Sequence, residues 1–136
     1  MINTDFYKWF DKFSPKLQIR KDAFYKIFNY LDKMPDPIII VETGCLRITN
    51  NFLDGQSTLL FDKYTQFRKN KAKVLTVDID PKSTKTCSEN VSKNVSIHTG
   101  DSLEYLKKLS DEFSKSKTKV SLFYLDSFDC NWKPLE

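Results

Sequence analysis

Pro37-Ile38-Ile39-Ile40-Val41-Glu42-Thr43-Gly44-Cys45 limits what this chain can fold into more than any other stretch. A run of β-branched residues stops at an acid, and a glycine follows almost at once. Continuous apolar character, rather than alternation, is what a strand buried on both faces requires. The same logic returns in Lys73-Val74-Leu75-Thr76-Val77-Asp78-Ile79-Asp80-Pro81, a second apolar strand that ends in a carboxylate. Strands of this kind lie parallel, and parallel strands need helical crossovers. The chain therefore predicts an α/β fold.

The surrounding sequence fits that alternation. Residues 2–33 read as helical, with Phe6, Trp9, Phe10 and Phe13 at helical spacing, a break at Ser14-Pro15, then Phe24, Ile27, Phe28 and Leu31. Pro35 and Pro37 close this segment. The first strand covers about 37–42, and a long loop runs from Thr43 to Asp54. A helix follows from about Gln56 to Phe67, with Leu60, Tyr64 and Phe67 on one face. The second strand covers about 73–78. Asp80-Pro81 is a helix start, with Asp as N-cap and Pro at the first helical position. That helix runs to about Val91, and Val95–His98 forms a short third strand. Asp101-Ser102-Leu103-Glu104 resembles a capping box, opening a helix whose buried stripe is Leu103, Leu106, Leu109 and Phe113. The fourth strand is Val120–Asp126. The expected organisation is a helical segment over 1–34 and a Rossmann-like three-layer domain over 35–136, with about four mostly parallel strands and helices on both faces.

Composition narrows the function classes. The 136 residues suffice for one core, and 11 Phe, 6 Tyr and 2 Trp argue against disorder. The net charge of +4 comes from interspersed Lys and Asp/Glu, without the basic cluster of a nucleic-acid arm. No segment approaches the roughly 18 apolar residues of a membrane span, and Met1–Asp5 does not read as a signal peptide. Cys45, Cys87 and Cys130 include no CxxC, which predicts free thiols in a reducing cytoplasm.

The acids at the strand ends carry the functional reading. Asp78 can accept hydrogen bonds from both hydroxyls of a ribose; its alternative is an exposed loop acid. Glu42 can order its loop or meet an ammonium, and its alternative is a solvated acid beside Gly44. Gly55-Gln56-Ser57-Thr58 opens a helix whose N-terminus suits a carboxylate or phosphate, or is simply capped by Ser57 or Thr58. Asp101 can meet an exocyclic amine or cap its helix. Asp126 and Asp129, with Asn131, could hold a divalent cation such as Mg2+ or act on a substrate, against a polar loop as the alternative. His98 reads as structural, and no Cys/His/Asp arrangement supports Cys45 as a nucleophile. The absence of G-x-G-x-x-G after the first strand argues against a nicotinamide dinucleotide domain.

Taken in order, Val41-Glu42-Thr43-Gly44-Cys45 with Gly55-Gln56-Ser57-Thr58, then Val77-Asp78-Ile79-Asp80, Gly100-Asp101-Ser102 and Tyr124-Leu125-Asp126-Ser127 resemble the class I S-adenosylmethionine-dependent methyltransferases over about residues 37–130. They are most similar to the branch holding macrocin O-methyltransferase-like and cephalosporin hydroxylase-like proteins. The resemblance implies cofactor binding by Glu42, Thr43, Gly44, Cys45, Gly55, Ser57, Asp78, Ile79, Asp101, Ser102 and Asp126. Asp78 would take the ribose, and Asp101 and Ser102 the adenine side. Asp126 and Asp129 would serve catalysis, alone or through a metal. The implied activity is methyl transfer from S-adenosylmethionine to a hydroxyl of a small molecule or sugar. The alternative is a catalytically incomplete cofactor-binding or scaffold module. The sequence departs from the family's glycine-rich pattern, since Leu46 follows Cys45, and it supplies about four strands where the family has seven. A C-terminally truncated sheet would expose an edge, which predicts a homo-oligomer or a partner chain across it.

Overall fold

The computed structural model describes residues 4–46, 56–69 and 71–125. It has N-terminal helices and a four-stranded, all-parallel sheet flanked by helices on both faces. In chain order these are α1 (Thr4–Phe13), a 3-10 segment (Ser14–Arg20), α2 (Lys21–Asp32), β1 (Ile38–Thr43), α3 (Ser57–Phe67), β2 (Ala72–Asp78), α4 (Pro81–Asn90), β3 (Val95–Thr99), α5 (Ser102–Ser116) and β4 (Leu122–Leu125). The strand order is β3-β2-β1-β4. Every residue of β1 is buried, because β2 and β4 flank it and helices cover both its faces.

Alternation along β1 divides its side chains between two cores. Ile38 and Ile40 join Phe6, Phe10, Phe24, Phe28, Phe61 and Tyr64 beneath α1, α2 and α3. Ile39 and Val41 pack with Leu75, Val77, Tyr105 and Leu109 beneath α5. The first core is dominated by aromatic edges. The Phe6 ring lies 4.6 Å from Phe28 and 5.1 Å from Tyr64, both edge-on, the arrangement that ring quadrupoles favour.

A polar clasp fixes the N-terminal helices to this core. Asp32 accepts from the hydroxyls of Tyr7 at 2.6 Å and Tyr64 at 2.7 Å. Arg68, just after α3, donates to the Tyr64 hydroxyl, the Leu31 and Met34 carbonyls and Asp36. These bonds tie the last turn of α2 and the residues just after it to the end of α3.

Two expectations need correction. Leu103 is 63% exposed, so the buried stripe of α5 is Tyr105 and Leu109, with Leu106 and Phe113 partly covered. The side chain of Leu103 belongs to the first turn, beyond the reach of the sheet. Regular β4 starts at Leu122, because the Ser121 hydroxyl and amide already bond the Ile39 backbone where the strand would begin. The break expected at Ser14-Pro15 is present: α1 ends at Phe13, and a 3-10 segment with a sharp kink at Gln18 follows.

Candidate functional site

The order β3-β2-β1-β4 reverses direction at β1, which creates a switch point between the carboxyl ends of β1 and β4. Open parallel sheets bind ligands in such a crevice. Of the described strand ends, those of β1 and β2 are bonded to each other beside it, whereas Asp101 and Ser102 follow β3 at the far edge of the sheet. Gly55, Asp126, Asp129, Asn131 and Cys130 lie outside the described residues.

Gly44 turns the chain out of β1 with φ 83°, a conformation that favours glycine. Its N–H donates to the Val77 carbonyl at 2.8 Å. The next amide, of Cys45, then points at Asp78 and donates to its Oδ2 at 3.2 Å, while the Asp80 amide donates to Oδ1 at 2.9 Å. Asp78 is 9% exposed. A carboxylate offers about four lone-pair positions, so two remain for outside donors. The carboxylate thus joins the β1 and β2 ends while keeping capacity for a pair of hydroxyls.

Glu42 takes a different position from a solvated loop acid, because its side chain is fully buried. Its Oε2 accepts from Ser57 at 2.5 Å, and its Oε1 accepts from Thr58 at 2.5 Å and Thr76 at 2.8 Å. The parallel register sets Thr76 opposite Glu42. Ser57 and Thr58 form the first turn of α3. One carboxylate therefore ties α3 to β1 and β2. Sequence reasoning missed Thr76; its signal was a lone hydroxyl inside an otherwise apolar strand.

Asp101 caps α5, its Oδ2 accepting from the Glu104 amide at 3.0 Å, and Asp80 caps α4 through the Lys82 amide at 2.9 Å. Both caps match their expected positions. Ser102 opens α5. Ile79 is 73% exposed beside Asp78, so two large apolar side chains, Ile79 and Leu103, stand free beside the β2 and β3 strand ends. The His98 ring stacks on Tyr105 at 4.7 Å, with Gly100 kept small beneath it, since an added Cβ would lie 3.1 Å from His98 Nε2.

Cys45 and Cys87 are free thiols in one buried cluster with Leu46. The Cys87 thiol beside it, and then burial, hold the Cys45 thiol well above the usual cysteine range. Such a thiol stays protonated and is a poor nucleophile. Among the described residues no group of three or more His, Cys, Asp or Glu side chains is placed to hold a metal ion, and no helix is long and apolar enough to cross a membrane.

Comparisons with protein-family models, curated proteins and solved structures returned no match.

Proposed function

We propose that this chain binds S-adenosylmethionine at the carboxyl end of its sheet and transfers the methyl group to a hydroxyl of a small molecule or sugar. The observation that carries the reading is Asp78, an acid at the end of β2 held by two backbone amides, with free acceptor capacity beside the switch point. A ribose diol matches that capacity. Ile79 and Leu103, exposed beside the β2 and β3 ends, suit the faces of a flat base. Gly44, Cys45 and Ser57 adjoin the methionine side, and Asp101 and Ser102 the adenine side. The bound cofactor supplies an electrophilic methyl, and the chain's residues orient the acceptor towards it. Asp126 and Asp129, with or without Mg2+, are the proposed source of a base for the acceptor hydroxyl. The proposed setting is the cytoplasm, with no nucleic-acid partner.

Calorimetric titration with S-adenosylmethionine and S-adenosylhomocysteine tests this directly. Micromolar binding is expected for the wild type. Asp78→Ala should weaken it by about a hundredfold, since two hydrogen bonds to a charged group are lost. Heat from the wild type that Asp78→Ala reproduces would remove Asp78 from the site. No binding at all would leave a scaffold or interaction module in place of the enzyme.

The β4 edge carries a second expectation. Among the described residues β4 is an outermost strand, and Phe123 is 56% and Leu125 65% exposed on its α5 face. An open edge with exposed apolar side chains favours pairing with a second copy or another chain. Light scattering at tens of micromolar should report a species above monomer mass, shifted towards monomer by Phe123→Lys. A monomeric wild type would count against it.

A further inference from the structure

We infer that Arg20 is the receptor for an anionic oxygen group, carboxylate or phosphate, on a small molecule seated near the β1–β4 switch point. The position follows from helix direction. α3 begins where Ser57 and Thr58 bond Glu42, at the carboxyl end of β1, and ends near Lys71, whose carbonyl accepts from Ile38 at the strand's amino end. The last turn of α2 meets that far end, since Arg68 bonds the Leu31 and Met34 carbonyls and Tyr64 bonds Asp32. α2 therefore runs against the strands, and its first residues lie at their carboxyl end. Phe24, one turn into α2, confirms the level: its ring stacks on Tyr124 at 6.0 Å, and Tyr124 is the register partner of Glu42. Arg20 stands one turn above Phe24, level with the ends of β1 and β4.

The guanidinium there is unusual. It lies over the Phe24 ring, 5.2 Å from its centre. Its Nη1 is buried and, among the described residues, finds no acceptor. Arginine presents five donors in a rigid fork, and a buried donor without a partner is costly. A fork held on an aromatic face, one arm desolvated, matches carboxylate or phosphate in two-point geometry. The chain bends sharply to place it. Gln18 adopts φ 52° and ψ −119°, strained for a residue with a side chain, and the bend leaves Ile19 93% exposed while Arg20 turns inward. Strain and an unsatisfied donor in one place are what a ligand site stores and what a purely structural turn avoids.

The test needs no cofactor, so it stands or falls separately from S-adenosylmethionine binding. A nitrogen-labelled full chain is titrated with inorganic phosphate and, in parallel, with acetate. The Arg20 Nε–H resonance and the Ile19, Lys21 and Phe24 amides are followed. Saturable displacement is expected with at least one anion, and which one acts distinguishes a phosphate-bearing from a carboxylate-bearing ligand. Arg20→Lys should bind about tenfold more weakly, having lost the fork. Arg20→Met should lose the displacement while melting at the same temperature as the wild type or higher, because an unpaired, partly desolvated charge has been removed. If neither anion moves the Arg20 resonance, or if Arg20→Met binds as the wild type does, the inference is overturned. An Arg20→Met chain that melts lower, with anions leaving Arg20 unmoved in the wild type, would make it a packing residue.

Discussion

Replacing Glu42 with alanine is expected to lower folding stability by about 3–5 kcal/mol, because three buried hydroxyls lose their common acceptor at about 1–3 kcal/mol each. The carboxylate is fully buried and is the acceptor for Ser57, Thr58 and Thr76. The three bonds share one acceptor, so their contributions do not add fully. Alanine leaves three hydroxyls in a dry site and a cavity where the side chain stood. Glu42→Gln keeps one acceptor oxygen and should cost less, about 1–2 kcal/mol. Urea unfolding measures both. An alanine variant within about 0.5 kcal/mol of the wild type would place Glu42 among surface substitutions and refute the network. Because Glu42 ties α3 to β1, its loss should loosen the helix start that adjoins the proposed methionine side.

The strands were legible because their apolar runs are unbroken. A residue such as Ile39 or Val77 has nowhere to go except between two helical layers, and β1 and β2 lie within a residue of their expected limits. The caps were legible for a local reason. Asp80 and Asp101 bond amides two and three residues ahead, so their neighbours in sequence define them. What the sequence hid is long-range. Nothing near Asp32 announces that Tyr7 and Tyr64 converge on it, because the three residues sit on three different helices. Glu42 and Asp78 read alike, each an acid ending a strand, yet the fold separates them. Glu42 faces α3 and is consumed by hydroxyls, whereas Asp78 lies at the sheet's rim and keeps spare acceptor positions. Both acids share one face of the sheet, since Thr76 is the register partner of Glu42 and Asp78 follows it by two residues. Position along the strand decides their fates, because Asp78 ends β2 beyond the level where the α3 hydroxyls reach. Leu103 was misread for a related reason. Helical spacing identifies a stripe, but the first turn of α5 projects past the sheet, where no partner layer exists.

Stability should fall steeply above pH 10, and the Asp32 clasp is the cause. Burial, and then the hydrogen bond to Asp32, push the Tyr64 phenol well above its ordinary value, with Arg68 opposing in part. Tyr7 is raised by burial and by Asp32 as well. Both phenols stay protonated in the folded chain, whereas in the unfolded chain they ionise near pH 10. Above that pH the unfolded state releases protons that the folded state retains. The contribution is therefore complete below about pH 10 and is lost as pH rises towards the folded-state values. A fully protected tyrosine gives a slope of about 1.4 kcal/mol per pH unit. Tyr64, fully buried, should approach it, and half-buried Tyr7 should give less. Tyr64→Phe separates the two parts of this effect. At neutral pH it should cost about 1–2 kcal/mol, since Asp32 and Arg68 each lose a partner. Above pH 10 its stability should decline more gently, so the two curves converge. Urea midpoints collected from pH 8 to pH 11.5 would show the convergence. Curves that stay parallel would mean that Tyr64 ionises equally in both states and that the clasp does not hold its proton.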